Sequence, residues 1–133
     1  MTRRVFTGTE WEPVVGYSRA VAAGDYVFVA GCTSVVGAEF VHEGDAYAQT
    51  EQAISNVADA LGRLGAALSD VVRTRMFVTN ITRDWQLVGR AHSEFFHAIR
   101  PVTSMVEVSR LIDPEMLVEI EADALAADAL PPQ

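Results

Sequence analysis

Acid–base chemistry in this sequence could be carried by Glu119, Glu121 and His92. The two glutamates are two residues apart, so on a strand they share one face. A carboxyl group in a half-buried site there could have the raised pKa that a general acid or base needs, although solvated or salt-bridged carboxylates are commoner. His92 could line a pocket as an acid, a base or a hydrogen-bond partner, whereas most histidines on the wet side of a helix have no special role.

Nucleophilic and metal chemistry have weaker support. Cys32, the single cysteine, follows the apolar segment 26–30, at a strand end where pockets often form. A thiolate needs a nearby base or cation, and the sequence places none beside it, so a small buried residue is the preferred interpretation. His92 and His97 are five residues apart and do not share a helical face. Phosphate loops and nucleophile elbows are also missing, so we predict no metal and no cofactor.

Composition limits the possible partners. The 133 residues include 18 acidic and 10 basic side chains, all ten of them arginine, for a net charge of -8. Such a surface repels phosphate backbones and anionic lipid, so we predict neither nucleic-acid nor membrane binding. The start Thr2-Arg3-Arg4-Val5-Phe6 looks like a twin-arginine export signal, but the polar residues after it do not fit one. We predict a cytoplasmic protein with one domain over residues 1–127 and a flexible tail over 128–133.

The first half of the chain predicts a hairpin followed by a helix. Segments 19–23 and 26–30 alternate as strands around Gly24-Asp25, a pair that tolerates positive φ. A short strand is expected near residues 39–41. From Asp45 to Gly65 the apolar residues recur with the period of an amphipathic helix.

The second half predicts strand, helix, strand, strand. Residues 71–78 alternate, with Val72 expected on the buried face. A second helix, capped by Thr82 or Asp84, ends before Pro101. Its expected apolar face is formed by Trp85, Val88, Phe95 and Ile99. Strands are then predicted over 102–111 and 117–125.

Two helices can cover only one face of such a sheet. The uncovered face is expected to mix opposite charges with large apolar side chains, which favours contact with a second copy over contact with water, so we predict a homo-oligomer. The alternative is a solvated open face. The residues assigned to this face are Arg73, Arg75, Glu107, Glu119 and Glu121 with Phe77, Met105 and Leu125.

Several segments, in order, resemble the Rid family, the reactive intermediate deaminases also called the YjgF or L-PSP endoribonuclease family. The resemblance covers about residues 14–126. Its segments are Gly16-Tyr17-Ser18-Arg19-Ala20-Val21, the hairpin Gly24-Asp25-Tyr26-Val27-Phe28-Val29-Ala30-Gly31, Gln49-Thr50 with Gln52, Asn56 and Leu61, Pro101 with Met105-Val106-Glu107-Val108 and Leu111, and Leu117-Val118-Glu119-Ile120-Glu121-Ala122.

The resemblance implies a chorismate-mutase-like α+β subunit, with two helices on one face of a mixed sheet. It also implies a homotrimer with small-molecule clefts between subunits. Members with the full motif hydrolyse reactive 2-imino acids or enamines to the 2-keto acid and ammonia. In them an arginine clamps the substrate carboxylate, and a glutamate with main-chain groups holds the attacking water.

Three residues here match the family's site: Tyr17 the pocket tyrosine, Gly31 the glycine bordering the cleft, and Glu119 the water-orienting glutamate. The carboxylate-binding arginine is missing, because Pro101-Val102-Thr103-Ser104 places Thr103 at its position. Losing such a charge partner costs on the order of 2 to 5 kcal/mol if nothing replaces it. Ala30 stands in place of the usual serine, Cys32 in place of glutamine or a similar residue, and Gly89 in place of asparagine.

Two interpretations of the missing arginine stay open. Arg100, Arg73 or Arg75 could reach the cleft and take over its role. Alternatively, the pocket serves another ligand, with Thr103, Cys32 and His92 as neutral contacts. The activity is then imine or enamine hydrolysis, non-catalytic metabolite binding, or ribonuclease activity, and the net charge of -8 disfavours the last of these.

Overall fold

A computed structural model describes residues 2–126 of the chain. The predicted flexible tail, residues 128–133, lies outside the described residues. The elements in chain order are β1 (Thr2–Val5), β2 (Ala20–Ala23), β3 (Tyr26–Cys32), β4 (Val35–Val36), β5 (Glu39–Phe40), α1 (Ala46–Gly62), β6 (Val71–Val78), α2 (Ile81–Phe96), β7 (Val102–Glu107) and β8 (Val118–Leu125). A π-helical turn, Glu12–Gly16, lies between β1 and β2.

The main sheet has six strands in the order β1-β2-β3-β8-β6-β7. Every neighbouring pair is antiparallel except β6 and β7, which α2 connects as parallel strands. The strands β4 and β5 form a separate small hairpin. The predicted α+β fold with a mixed sheet and two helices is therefore confirmed. Strand β1 was not predicted from the sequence, and it places Arg3 and Arg4 in an edge strand beside β2.

Helix α1 begins where the sequence predicts. The Asp45 side chain caps it by accepting a hydrogen bond from the Ala48 amide at 2.9 Å. Its apolar face packs Ile54, Val57 and Leu61 into the core. The helix ends at Gly62, and Gly65 then takes a φ of +80°, the left-handed conformation that glycine adopts most easily.

Helix α2 differs from its prediction at two points. Its cap is Asn80, whose side chain accepts from the Arg83 amide at 3.1 Å, so neither Thr82 nor Asp84 caps it. Trp85 is 52% exposed rather than part of the apolar face. Asp84 takes the buried position instead, because Arg83 pairs with its carboxylate at 2.8 and 2.9 Å.

The core lies between the two helices and one face of the sheet. Strand β8 runs through its centre, and the predicted alternation there is confirmed, since the alternate side chains Val118, Ile120, Ala122 and Ala124 are all fully buried. Helix α2 contributes Val88 and Phe96 to the same cluster.

The uncovered face of the sheet differs in part from the prediction. A β-bulge between Val71 and Arg73 buries Val71 and leaves Val72 46% exposed, so the assignment of Val72 to the core was wrong. Met105 packs against the core, and Glu107 accepts a hydrogen bond from the Ile81 amide at 3.0 Å, so these two residues leave the face assigned to them.

Two predicted features of this uncovered face are present in the structure. Arg75 Nη1 lies 3.1 Å from Glu121 and 3.2 Å from Asp123, which gives the opposite charges that the sequence predicted. Large apolar side chains are exposed around them, namely Tyr26, Phe28, Val72, Val102, Val106 and Leu125. Among residues 2–126, no helix is both long and apolar enough to span a bilayer.

Candidate functional site

A cavity of about 480 Å³ opens where β3 and β8 shift register between Val29 and Cys32. The register shift leaves Ala30 and Gly31 unpaired with β8, and both line the cavity. Glu119 on β8 and Tyr17, in the segment before β2, line it as well. The structure therefore brings together most of the residues proposed from the sequence.

Glu119 and Gly31 approach each other closely. A Cβ atom added at Gly31 would lie 2.6 Å from the Glu119 Cδ and 2.8 Å from its Cγ, so only glycine leaves room for this carboxyl group. Burial raises the pKa of Glu119, and the neighbouring Glu121 charge raises it further. A partly buried carboxyl group with a raised pKa suits proton transfer near neutral pH.

Arg19 is the cavity residue that sequence reasoning missed. Its side chain is only 10% exposed, and its Nη1 donates to the Gly31 carbonyl at 2.6 Å. Its Nη2 donates to the Tyr17 hydroxyl at 3.2 Å. The available signal was a charged residue directly before the apolar strand β2.

The first loop of the chain lines the cavity with Thr7, Thr9 and Trp11, and Glu12, the first residue of the π-helical turn, holds this loop in place. Its buried carboxylate accepts hydrogen bonds from the Thr7 amide at 3.0 Å, the Thr7 hydroxyl at 2.6 Å and the Thr9 hydroxyl at 3.1 Å. Its Oε2 lies 3.6 Å from Arg19 Nη2. The loop, the turn and the cavity wall are therefore tied together by one carboxylate.

Cys32 lies in the cavity wall as a buried thiol. Its Sγ donates to the Ala30 carbonyl at 3.4 Å and accepts from Arg19 Nη1 at 3.7 Å. Arg19 supplies the cation that the sequence did not reveal. Burial nevertheless raises the pKa of Cys32 to about 11, so the group stays a neutral thiol and not a nucleophile.

Thr103 and His92 do not line this cavity in the single chain, so their place in a cleft between subunits stays a prediction. Thr103, on the edge strand β7, accepts a hydrogen bond from the buried Thr74 hydroxyl at 2.7 Å. His92 Nε2 lies 2.9 Å from the same Thr74 oxygen. His92 lies on the buried face of α2 with 8% of its surface exposed, and burial lowers its pKa.

The three arginines proposed as substitutes also lie elsewhere in the chain. Arg75 is paired on the uncovered face, Arg73 lines a shallow depression on that face, and the Nε of Arg100 donates to the His97 carbonyl at 3.1 Å. The cations that line the cavity are Arg19 and Arg63.

Arg63 lies on the α1 side of the cavity, with its Nε 3.1 Å from Asp59 Oδ2. Within residues 2–126, no group of three or more histidine, cysteine, aspartate or glutamate side chains could hold a metal ion.

The comparisons with known proteins support one family and one fold. The sequence profile of the family described as Endoribonuclease L-PSP matches residues 7–126. Rv2704 of Mycobacterium tuberculosis, described as a member of the YjgF/YER057c/UK114 family, is 51% identical with a TM-score of 0.86, over 95% of this chain and 100% of that one. The uncharacterized protein SCO2049 of Streptomyces coelicolor is 43% identical over 92% of this chain and 90% of its own. The 3-aminoacrylate deaminase RutC of Acinetobacter baylyi is 31% identical over 84% and 88%.

Proposed function

Because the chain belongs to the Rid family, also called the YjgF or L-PSP family, we propose that it hydrolyses a small imine or enamine to a carbonyl compound and ammonia. The observation that carries this proposal is the Glu119 carboxyl group, held against Gly31 in a cavity of about 480 Å³ with its pKa raised by burial. A cavity of this size accommodates a small metabolite.

In the proposed mechanism, the Glu119 carboxylate accepts a hydrogen bond from a water molecule. As the water oxygen adds to the carbon of the protonated imine, one water proton passes to Glu119 and the C=N electron pair passes to nitrogen, which gives a neutral carbinolamine. Glu119 then donates that proton to the amine nitrogen. The C–N bond breaks with its electron pair leaving on ammonia, and the hydroxyl proton passes to the Glu119 carboxylate as the carbonyl forms. An enamine enters this sequence after protonation at carbon. The raised pKa of Glu119 makes its carboxylate a stronger base for the water proton.

Tyr17 is assigned the role of orienting the substrate. Its hydroxyl oxygen accepts a hydrogen bond from Arg19, so its own proton is available to donate into the cavity. The relative named as a 3-aminoacrylate deaminase supports the enamine class, because 3-aminoacrylate carries an amino group on a carbon–carbon double bond. Thr103, in the place of a carboxylate-binding arginine, argues that this chain's substrate differs from the usual 2-imino acids.

We also propose that three copies assemble through the uncovered sheet face, which carries exposed Tyr26, Phe28 and Leu125 beside the Arg75 ion pairs. In such a trimer a neighbouring chain could bring Thr103 to the cavity. The cytoplasmic location and the lack of nucleic-acid or membrane partners stay predictions.

A non-catalytic metabolite-binding trimer is the second candidate, favoured by Thr103, Ala30 and Gly89 at positions where the resemblance expects other residues. It predicts saturable ligand binding without product. A ribonuclease is disfavoured by the net charge of -8.

A substrate comparison distinguishes the first two candidates. Ammonia release would be measured from 2-iminopropionate, generated in situ by an amino acid oxidase, and from 3-aminoacrylate, with the native protein and Thr103→Arg. Acceleration of either substrate by the native protein supports hydrolysis. If only Thr103→Arg accelerates ammonia release from 2-iminopropionate, the native protein differs from members with the arginine in substrate recognition. No acceleration by either protein, with both shown to be folded, rejects the hydrolase in favour of a binding protein.

A further inference from the structure

The buried guanidinium of Arg19 touches three parts of the cavity wall. It donates to the Gly31 carbonyl at 2.6 Å and to the Tyr17 hydroxyl at 3.2 Å, and it lies 3.7 Å from the Cys32 sulfur. Removing a charge from water is unfavourable unless other groups compensate it. The first two contacts fix the positions of two groups that line the cavity.

The partner of Arg19 compensates its charge only in part. Glu12 is 3% exposed, and its Oε2 stands 3.6 Å from Arg19 Nη2, longer than the 2.7–2.9 Å typical of a charge-assisted hydrogen bond. The same carboxylate accepts its short hydrogen bonds from Thr7 and Thr9. The positive potential of Arg19 is therefore reduced but not cancelled within the cavity.

We propose that Arg19 is the positioning residue of this cavity: it orients the Tyr17 hydroxyl and the Gly31 peptide against which Glu119 packs, and its positive charge, moderated by Glu12, favours the ionised form of that carboxyl group. This inference rests on the proposed function only for the catalytic meaning of that carboxylate. It assigns no contact between Arg19 and the substrate, because Nη1 and Nη2 of its guanidinium group already have partners in the protein.

The other charged groups around the cavity do not lower the pKa of Glu119. The titratable and charged groups that line it or act on Glu119 are Glu121 on β8, Tyr17 and Arg19 before β2, Cys32 on β3, Asp59 on α1 and Arg63 just after α1. Glu12, in the π-helical turn, acts through its ion pair with Arg19. Asp59 and Arg63 are 3.1 Å apart and compensate each other, and Cys32 is a neutral thiol. Burial and Glu121 raise the pKa of Glu119, while Arg19 is the charge that lowers it.

The test is a direct titration of Glu119 in the full-length protein by NMR of glutamate labelled with ¹³C at the side-chain carboxyl, assigned by its loss in Glu119→Gln. Arg19→Gln removes the positive charge and is expected to raise the pKa of Glu119, seen as a shift of its titration curve to higher pH. Glu12→Gln removes the opposing negative charge and is expected to lower it. The double variant is expected to return close to the native value.

A purely structural role for Arg19 would not shift the pKa of Glu119 in opposite directions in Arg19→Gln and Glu12→Gln. Arg4→Gln, on the exposed edge strand β1, is the control for loss of a surface arginine and is expected to leave the titration unchanged. Shifts of the same sign in Arg19→Gln and Glu12→Gln, or shifts below about 0.2 unit in both, would overturn the inference. If Arg19→Gln does not fold, the direction of the Glu12→Gln shift decides alone.

Failure of this inference is distinguishable from failure of the proposed function. The titration needs no substrate, so it gives the same answer if no imine or enamine is hydrolysed. With an active protein, the acid limb of kcat/KM is expected to move to higher pH in Arg19→Gln, by the shift found in the titration. An acid limb that depends on Glu119 but does not move in Arg19→Gln would contradict the inference while leaving the hydrolase intact.

Discussion

Gly31→Ala is the substitution whose effect follows most directly from the geometry. The new Cβ would lie 2.6 Å from the Glu119 Cδ, about 0.8 Å inside the 3.4 Å lower limit of an ordinary contact. The Glu119 Cγ and Oε2, both at 2.8 Å, would also be too close. The methyl group and the carboxyl group cannot both keep their places, so Glu119 must rotate or the two strands must separate.

The size of the effect can be bounded. Forcing extra volume into a packed site costs about 1–3 kcal/mol, which would lower the Tm by roughly 4–12 °C for a chain of this size. A catalytic group displaced by about 1 Å costs on the order of 100-fold in rate. We therefore expect Gly31→Ala to lose on the order of 100-fold in kcat, about 2.7 kcal/mol of transition-state stabilisation, in addition to its loss of stability.

Thermal unfolding and ammonia release, measured side by side, check this expectation. Gly89→Ala is the matched control, because Gly89 lies within α2 and a Cβ there meets nothing within 4 Å. It is expected to leave the rate unchanged and to stabilise the fold by about 0.5–1 kcal/mol. Gly31→Ala with native Tm and native kcat would refute the assignment of Gly31 as the space that holds Glu119.

Three further predictions concern residues around the site and the core. Cys32 is expected to react with a thiol reagent at pH 8 only after unfolding, because its thiol is buried and burial raises its pKa to about 11. Fast reaction of the native protein would contradict this. Burial alone would raise the pKa of Glu12, but hydrogen bonds from Thr7 and Thr9 hold it below its usual 4.5. The contribution of Glu12 to the free energy of unfolding is therefore full above about pH 5 and declines as the pH falls through the lowered pKa. Urea unfolding at pH 7 and pH 4 should then show a smaller pH dependence in Glu12→Gln than in the native protein, and an equal dependence would argue against the role. Thr74→Val should cost about 1–3 kcal/mol in the same assay, because it leaves His92 without its buried partner, and a neutral result would show that water replaces the hydroxyl.

The strands and helices with regular periodicity could be predicted from the sequence. Strand β8 alternates buried and partly exposed residues over its whole length, and α1 has a capping aspartate at its start. The misassignments occur where one residue breaks the period. The bulge at Val72 inverts one position of β6, and Asp84 is buried because Arg83 neutralises it. Neither event leaves a signal in hydrophobic periodicity.

From the sequence, the site residues that meet in the cavity could be predicted only through the resemblance to the family. Tyr17, Gly31 and Glu119 do meet in one cavity. Arg19 was missed because an arginine before a strand is normally solvated, and its burial depends on Glu12, which comes from a separate turn of the chain. Thr103 was placed in the site by the resemblance and His92 by the chemistry of its side chain, and in the single chain both lie beside Thr74, outside this cavity.

The central claim is that the Glu119 carboxylate holds and deprotonates the attacking water. The most direct measurement is kcat/KM for ammonia release from the best imine or enamine substrate, comparing the native protein with Glu119→Gln. Both proteins must first be shown to have the same oligomeric state and the same substrate affinity. Since general-base catalysis contributes about 10²–10⁴-fold, we expect a loss of that size in Glu119→Gln with the fold intact. Hydrolysis at the native rate by Glu119→Gln would contradict the claim.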